Sequence, residues 1–286
     1  MTTFSPTETF LLRVNFTTTG KKATETIMTC LKSFTKRQLE SCPGTLMYHF
    51  IVPFPKTKPN YFEFSELYAN EPLFWEHLNT PELIQLNKDS FTVETTKISL
   101  FYSYGHLEPN VLLCTDYFQS KYPALRSGFV INPKVQWGEE DKPSPIMMKL
   151  FFTAQKDQNE EENQSVKIIE ESFKELSKMV NNQVVTFYTT VPEEENSPLG
   201  YEMLEVCWNE SSLMDHISSE KGIELWKKIK ENSTNWRCEV YGTCSEEGLI
   251  KMNEMHLEAT TKKTDIGYVL SPRIKENTIQ EKKEEK

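Results

Sequence analysis

Two stretches of this chain carry the same reactive side chains. Residues 62–80 read FEFSELYANEPLFWEHLNT, and residues 201–219 read YEMLEVCWNESSLMDHISS. Each has a glutamate late in an apolar run, Glu66 or Glu205, and a histidine 11 positions further on, His77 or His216. An imidazole polarised by a carboxylate is a general base that can take a proton from a phenol or an enol near neutral pH. The carbanion so formed can react directly with oxygen. The same pair can also tie a helix to a sheet through one buried hydrogen bond. Retention in both stretches fits either role.

The surrounding residues narrow the chemistry. Glu63 and Glu202 precede Glu66 and Glu205 by three positions on a strand, so the members of each pair point to opposite faces and form no carboxylate dyad. The glutamate that faces inward needs a partner or a shifted pKa. Trp75, Tyr48, Tyr68 and Tyr102, with Tyr188 and Tyr241 in the second stretch, are candidate walls of an aromatic substrate pocket, and core packing is the alternative. The five histidines show no HxxxH or HExxH spacing, so no metal site is expected, and no cofactor-binding motif stands out. No cysteine is matched between the stretches, which speaks against a thiol nucleophile.

These residues belong to a longer repeat. Shifted by 139 positions, residues 33–135 meet residues 172–274 without a gap. Phe34 meets Phe173, Val52-Pro53 meets Val191-Pro192, Asn70-Glu71 meets Asn209-Glu210, and Tyr102 meets Tyr241. Far downstream, GFVINPKV (128–135) faces GYVLSPRI (267–274), so the repeat includes a final strand-like piece. Nearer the start, LLRVNFTT (11–18) fits MMKLFFTA (147–154) at a shift of 136, which places a three-residue insertion after the first strand. The chain is a tandem duplication, with a charged, Pro-bearing linker GEEDKPSP at 138–145.

Each half reads strand, helix, strand, strand, helix, strand. In the first, FLLRVNF is a β-run, and residues 22–41 carry Ile27, Leu31, Phe34 and Leu39 near helical spacing before Cys42-Pro43-Gly44 stops them. TLMYHFIV and YFEFSELYA follow as strands, and EPLFWEHLNTPELIQL as one helix with Asn70 as N-cap and Pro72 in its first turn. TTKISLFYSY closes the unit, and the second half repeats the order with ESSLMDHISSEKGIELWKKIK as its second helix. The order βαββαβ is that of a ferredoxin-like unit. A four-stranded sheet with both helices on one face leaves the other face bare, and the nearest cover is the other half's sheet. The expectation is an α+β fold of two such units packed sheet to sheet as an intramolecular, pseudo-dimeric α+β barrel. The repeats span 9–137 and 146–275, each ending in an extension strand that crosses to the other half, with a charged, disordered tail at 276–286.

With these elements in place, the sequence resembles the antibiotic biosynthesis monooxygenase-like family of dimeric α+β barrels. The residues that carry the likeness are Pro43-Gly44 before an apolar strand, Glu66-Leu67-Tyr68 at the end of the next, and Phe74-Trp75-Glu76-His77-Leu78 on the following helix. The second half matches more loosely, with Glu205-Val206-Cys207 and Leu213-Met214-Asp215-His216-Ile217 and no Pro-Gly. The likeness covers residues 9–105 and 146–244 and leaves the extensions unexplained. Some members oxidise polycyclic phenols with molecular oxygen and no metal or flavin. Others break down haem, handle signalling sugars or lack a known activity. The haem-degrading members place a Trp where His77 stands and a haem-ligating His where this chain has Leu86 and Leu225, so the resemblance does not extend to them.

Composition bounds the rest. A hydrophobic content of 37% with 17 Phe, 11 Tyr and 5 Trp suffices for packed cores. A net charge of −10 argues against general nucleic-acid binding, which needs a basic surface. No basic leader, no apolar run of membrane-span length and no CxxC pair among six cysteines point to a cytoplasmic protein with reduced thiols and no membrane partner. Two functions stand open: a cofactor-independent monooxygenase acting on a small phenolic or enolisable compound, with His77 and Glu66 (and His216 and Glu205) as its catalytic groups, or a non-catalytic small-molecule-binding or structural protein. The expected assembly is a monomer with an internal pseudo-dimer, a higher oligomer remaining open.

Overall fold

The structure, a computed structural model, describes residues 10–41, 44–51, 60–81, 84–85, 96–105, 120–121, 127–129, 144–156, 163–181, 183–190, 200–262 and 267–268. The first half supplies β1 (Phe10–Thr18), α1 (Lys21–Ser41), β2 (Thr45–Ile51), β3 (Tyr61–Tyr68), α2 (Glu71–Leu78) and β4 (Thr96–Gly105), followed by β5 (Ser120–Lys121) and β6 (Ser127–Phe129). The second supplies β7 (Ile146–Ala154), α3 (Gln164–Met179), β8 (Val184–Thr190), β9 (Gly200–Cys207), α4 (Glu210–Ile217), α5 (Glu220–Glu231) and β10 (Ser233–Gly242). After these come α6 (Glu246–Glu254), β11 (Ala259–Lys262) and β12 (Gly267–Tyr268).

Two compact units result. One comprises residues 1–122 together with 264–286, the other residues 123–263. Each holds a six-stranded sheet, in the orders β12-β2-β3-β1-β4-β5 and β11-β10-β7-β9-β8-β6. The central four strands of each pair antiparallel. The outer strands β5 and β11 pair parallel, to β4 and β10. At the other edges the halves trade strands: β6 pairs with β8, and β12 pairs with β2.

Local chemistry explains the helices. Asn163 N-caps α3 through Oδ1, which accepts from the amides of Ser165 and Val166. Ile169, Phe173 and Leu176 then recur at helical spacing and are fully buried against Met148, Leu150 and Phe152 of β7. Burying each such side chain stabilises the unit by about 1.5–3 kcal/mol. The helix α6 ends with His256 at a φ of 60°, the Leu257 amide bonded to the Met252 carbonyl, and both of those side chains buried, a Schellman-type stop.

Two expectations need correction. The second helix of the second half is not continuous. It breaks at Ser218-Ser219, where Ser219 Oγ accepts the Gly222 amide and begins α5 as a new helix. The larger correction concerns the barrel. Among the described residues neither sheet closes, since each strand order is linear with no pairing of first strand to last. Closure requires two edges to hydrogen-bond to each other, and here the edges are occupied by strands of two to four residues. The chain forms an α+β fold with two open sheets and six described helices, not an α+β barrel. The reason is that burying a face does not demand closure. In the second sheet the face away from the helices, with Met147, Leu204 and Val206, is buried while the sheet stays open.

The exchange of edge strands makes a direct prediction. A chain ending at residue 266 leaves β2 as an unpaired edge. Amide exchange across residues 45–51 is expected to accelerate by about tenfold or more, while residues 184–190 keep their protection. Equal protection of both strands would show that β12 does not hold that edge.

Candidate functional site

The pleat of each third strand sets which glutamate meets the helices. In β9, Tyr201, Met203, Glu205 and Cys207 share one face, and Glu202, Leu204 and Val206 share the other. Glu205 lies under α4, whose N-terminus is set by Asn209 accepting from the Ser212 amide at 2.8 Å. That start places His216 in the last turn, facing the sheet. His216 Nδ1 is 2.7 Å from Glu205 Oε1, and Nε2 is 2.9 Å from the carbonyl oxygen of Leu176 in the last turn of α3. A carbonyl only accepts, so Nε2 carries a proton and donates it.

His216 is 2% exposed and Glu205 0%. Burial works against a charged imidazole, but the Glu205 charge, the hydrogen bond to it and the Leu176 carbonyl together hold its pKa above the ordinary histidine value. The helix C-terminus adds to this preference for a cation. Glu205 Oε1 also accepts from Cys207 Sγ at 3.4 Å. Burial first, then the neighbouring carboxylate, pushes the Cys207 thiol well up. Burial likewise takes Cys238 to about 12, so neither is a nucleophile. The His216 group joins α3, α4 and β9, with both ring nitrogens engaged.

The first unit repeats the frame with different contents. Asn70 Oδ1 accepts the Leu73 amide at 3.1 Å and caps α2, as its position predicts. His77 and Glu66 meet through Nε2 and Oε1 at 3.5 Å, a looser approach through the other ring nitrogen. The Tyr48 ring stands edge-on to His77 with centroids 6.1 Å apart, and the Tyr68 ring lies 5.6 Å away, between His77 and Phe74. The structure therefore brings His77, Glu66, Tyr48 and Tyr68 together. Trp75 is half-buried beside Phe74, its indole N–H donating to Glu71 Oε1 at 3.0 Å. Tyr102 pairs in register with Arg13, itself opposite Ser65, so its position falls on the face away from Glu66. The side chains of Tyr102, Tyr188 and Glu63 lie outside the described residues.

The two units dock the capped helix on the second strand by different means. A methyl on Gly44 would stand 2.7 Å from Leu73 Cβ, so only glycine admits that leucine. At the matching positions of the second unit, Gln183 Oε1 accepts from Ser212 Oγ at 2.5 Å. A close apolar contact in one half is a hydrogen bond in the other. The backbone follows the same plan, with the Ala69 amide on the Gly44 carbonyl and the Trp208 amide on the Gln183 carbonyl.

One group escaped the sequence reading. Lys149, in the middle of β7, is 1% exposed, and its Nζ lies 3.6 Å from Glu202 Oε1 on the face away from the helices. Its register neighbour Glu239, 3% exposed, accepts from the Tyr241 hydroxyl at 2.7 Å. The signal was present as a cation inside an apolar run, MMKLFF, matched by Arg13 in LLRVNF. Among the described residues no group of three or more potential metal ligands converges, and no helix is long and apolar enough to cross a membrane.

No family model and no curated protein matches the chain. Several solved structures resemble it at a distance. A candidate monooxygenase from Lactobacillus acidophilus is 10% identical over 81% of this chain and 92% of its own, with a TM-score of 0.43. A candidate monooxygenase from Fusobacterium nucleatum is 10% identical over 81% of this chain and 90% of its own, with a TM-score of 0.45. A candidate antibiotic biosynthesis monooxygenase from Bacteroides thetaiotaomicron is 15% identical over 37% of this chain and 93% of its own, with a TM-score of 0.30. The likeness is distant in each case.

Two outcomes follow from the geometry. Replacing His216 by Ala strands a buried carboxylate and a helix carbonyl, and is expected to cost about 2–4 kcal/mol in urea unfolding. Because its folded-state pKa is raised, the stability linked to its charge is fully present below about pH 6.5 and is lost as pH rises through the higher folded value. The gap between wild type and variant therefore narrows toward alkaline pH, and a gap that widens would contradict the charged pairing. Gly44→Ala forces Leu73 and α2 outward and is expected to cost about 1–3 kcal/mol, whereas Gln183→Ala should cost less than that.

Proposed function

We propose that the first unit is the working half of a cofactor-independent monooxygenase, with His77 as the base, Glu66 as its polarising partner and a small phenolic or enolisable compound as substrate. One observation carries this. The same histidine–glutamate pair that is closed at 2.7 Å in the second unit, with its other nitrogen on a carbonyl, stands at 3.5 Å in the first beside two tyrosine rings. A looser pair is better placed to exchange a proton with a ligand than a locked one.

In the proposed step His77 takes the phenol or enol proton. The carbanion adds oxygen at carbon, the proton held by His77 passes to the distal oxygen to give a hydroperoxide and restore the base, and loss of water from the hydroperoxide leaves a carbonyl at that carbon. Each turnover consumes one molecule of oxygen and returns one of water. His216, with both ring nitrogens bonded, and Glu205 act in the second unit as a helix-to-sheet tie. The sequence resemblance to the monooxygenase-like family agrees with this reading.

A second reading has its own observation. His77, Glu66, Tyr48 and Tyr68 are each no more than 5% exposed, as a purely structural tie would be. In that reading the chain is a non-catalytic binding or structural protein. Oxygen uptake by the purified chain with a panel of hydroquinones and polycyclic phenols separates the two. Under the oxygenase reading His77→Gln lowers the rate by about 100-fold or more with little change in Tm. Absence of uptake by the wild type across the panel, with a His77→Gln variant that is merely less stable, would establish the structural reading instead.

A further inference from the structure

One strand position stands out beside the loose pair. On the neighbouring strand the two units agree: Tyr48 stands edge-on to His77 with centroids 6.1 Å apart and planes at 77°, and Phe187 stands edge-on to His216 at 5.2 Å and 82°. That neighbour is a ring of the same posture in both. The position two residues beyond the glutamate is not. It shares the glutamate's face of the strand, and it holds Tyr68 in the first unit and Cys207 in the second, both 0% exposed.

The two side chains meet their pairs differently. The Cys207 thiol donates to the same carboxylate oxygen that His216 reaches, so it lies within the closed pair. The Tyr68 ring is much larger than a thiol. It lies 5.6 Å from the His77 ring, tilted by 40°, and 5.2 Å from the Phe74 ring at 69°. Phe74 and His77 are three apart on α2 and so share one side of that helix. The counterpart of Phe74 is the smaller Leu213. Tyr68 and Phe74 are buried together with Leu12. A close-packed interior has low compressibility, so a ring in place of a thiol takes up space between strand and helix. The histidine–glutamate distance is 3.5 Å where the ring stands and 2.7 Å where the thiol stands.

We propose that Tyr68 is a positioning residue of the first unit: its ring, braced on Phe74, wedges α2 off β3 and keeps the Glu66 carboxylate from closing on His77. This rests on the reading of His77 as the base. A carboxylate in close contact favours the protonated imidazole, as Glu205 does for His216. An imidazolium has two donors and no acceptor, so it cannot take a proton from a ligand. The wedge leaves the carboxylate near enough to orient the ring without holding it charged. Tyr68 thus acts through His77.

The test reads the full chain by nitrogen-15 and proton NMR of its histidine rings. An imidazole N–H held on a buried carboxylate gives a slowly exchanging proton far downfield. In the wild type the His216 ring proton is expected there and the His77 proton is not, with His77→Gln identifying the His77 signals. Tyr68→Cys moves the His77 proton toward the His216 position and slows its exchange by about tenfold. Tyr68→Phe, which keeps the ring, leaves it where the wild type has it. Should Tyr68→Cys fail to fold, Tyr68→Leu, which fills more of the space, is read in the same way. With a phenol that the wild type oxidises, Tyr68→Cys lowers kcat by about tenfold and changes KM little, and Tyr68→Phe recovers most of the rate. A wild-type His77 proton already as far downfield as that of His216 overturns the wedge, and so does an unmoved His77 proton in the folded variant. Intact oxygen uptake beside either result leaves His77 standing as the base. The expected spectra without uptake on any phenol keep the wedge and remove only the oxygenase.

Discussion

A carboxylate in the middle of a strand, facing a helix, cannot be buried alone. Its desolvation has to be offset by a donor that reaches it, and the neighbouring helix must be positioned to deliver one. Glu205 and His216 meet that constraint in the second unit, and much of the local structure serves it. Asn209 starts α4 at the residue that brings His216 round to the sheet. The end of α3 offers the Leu176 carbonyl to the second nitrogen. Cys207 Sγ donates to the same carboxylate oxygen that His216 reaches. The repeated glutamate, asparagine and histidine therefore describe one capped helix pinned to one strand.

The first unit keeps the pin and changes its setting. Tyr68 stands where Cys207 does, so the carboxylate there has a bulky ring beside it in place of a thiol donor. Tyr48 stands where Phe187 does, and Gly44 with Leu73 where Gln183 pairs with Ser212. These differences are coupled. A leucine at the start of the helix needs a glycine beneath it, and a serine there needs a side chain that can accept its hydroxyl. The two units share one scaffold, and at this helix-to-strand contact both partners differ together.

The buried Lys149–Glu202 contact shows the same electrostatic rule on the opposite face. Removing one partner would leave a charge in a dry environment, which is strongly unfavourable. The alternation of a β-strand sends Glu202 and Glu205 to different faces, and each finds its own cation. A single strand thus carries a buried charged contact on each of its faces.

Much of this was determined by the sequence itself, for local reasons. Strand alternation separated Glu63 from Glu66 and Glu202 from Glu205. Helical spacing located α1 and Asn70 marked the start of α2, because period and capping depend on residues a few positions apart. The repeat at 139 revealed the duplication and the final strand-like pieces. Other features only the tertiary structure decided. Whether the sheets would close depended on which short strands reached their edges, and that is settled by pairings between residues more than 200 positions apart, such as Tyr268 with Tyr48. The different tightness of the two histidine–glutamate pairs, 3.5 Å in the first unit and 2.7 Å in the second, was likewise legible only in the structure. The histidine and glutamate are the same in both units, but the residues that fold around them differ, Tyr48 and Tyr68 against Phe187 and Cys207, and those neighbours act through space rather than along the chain.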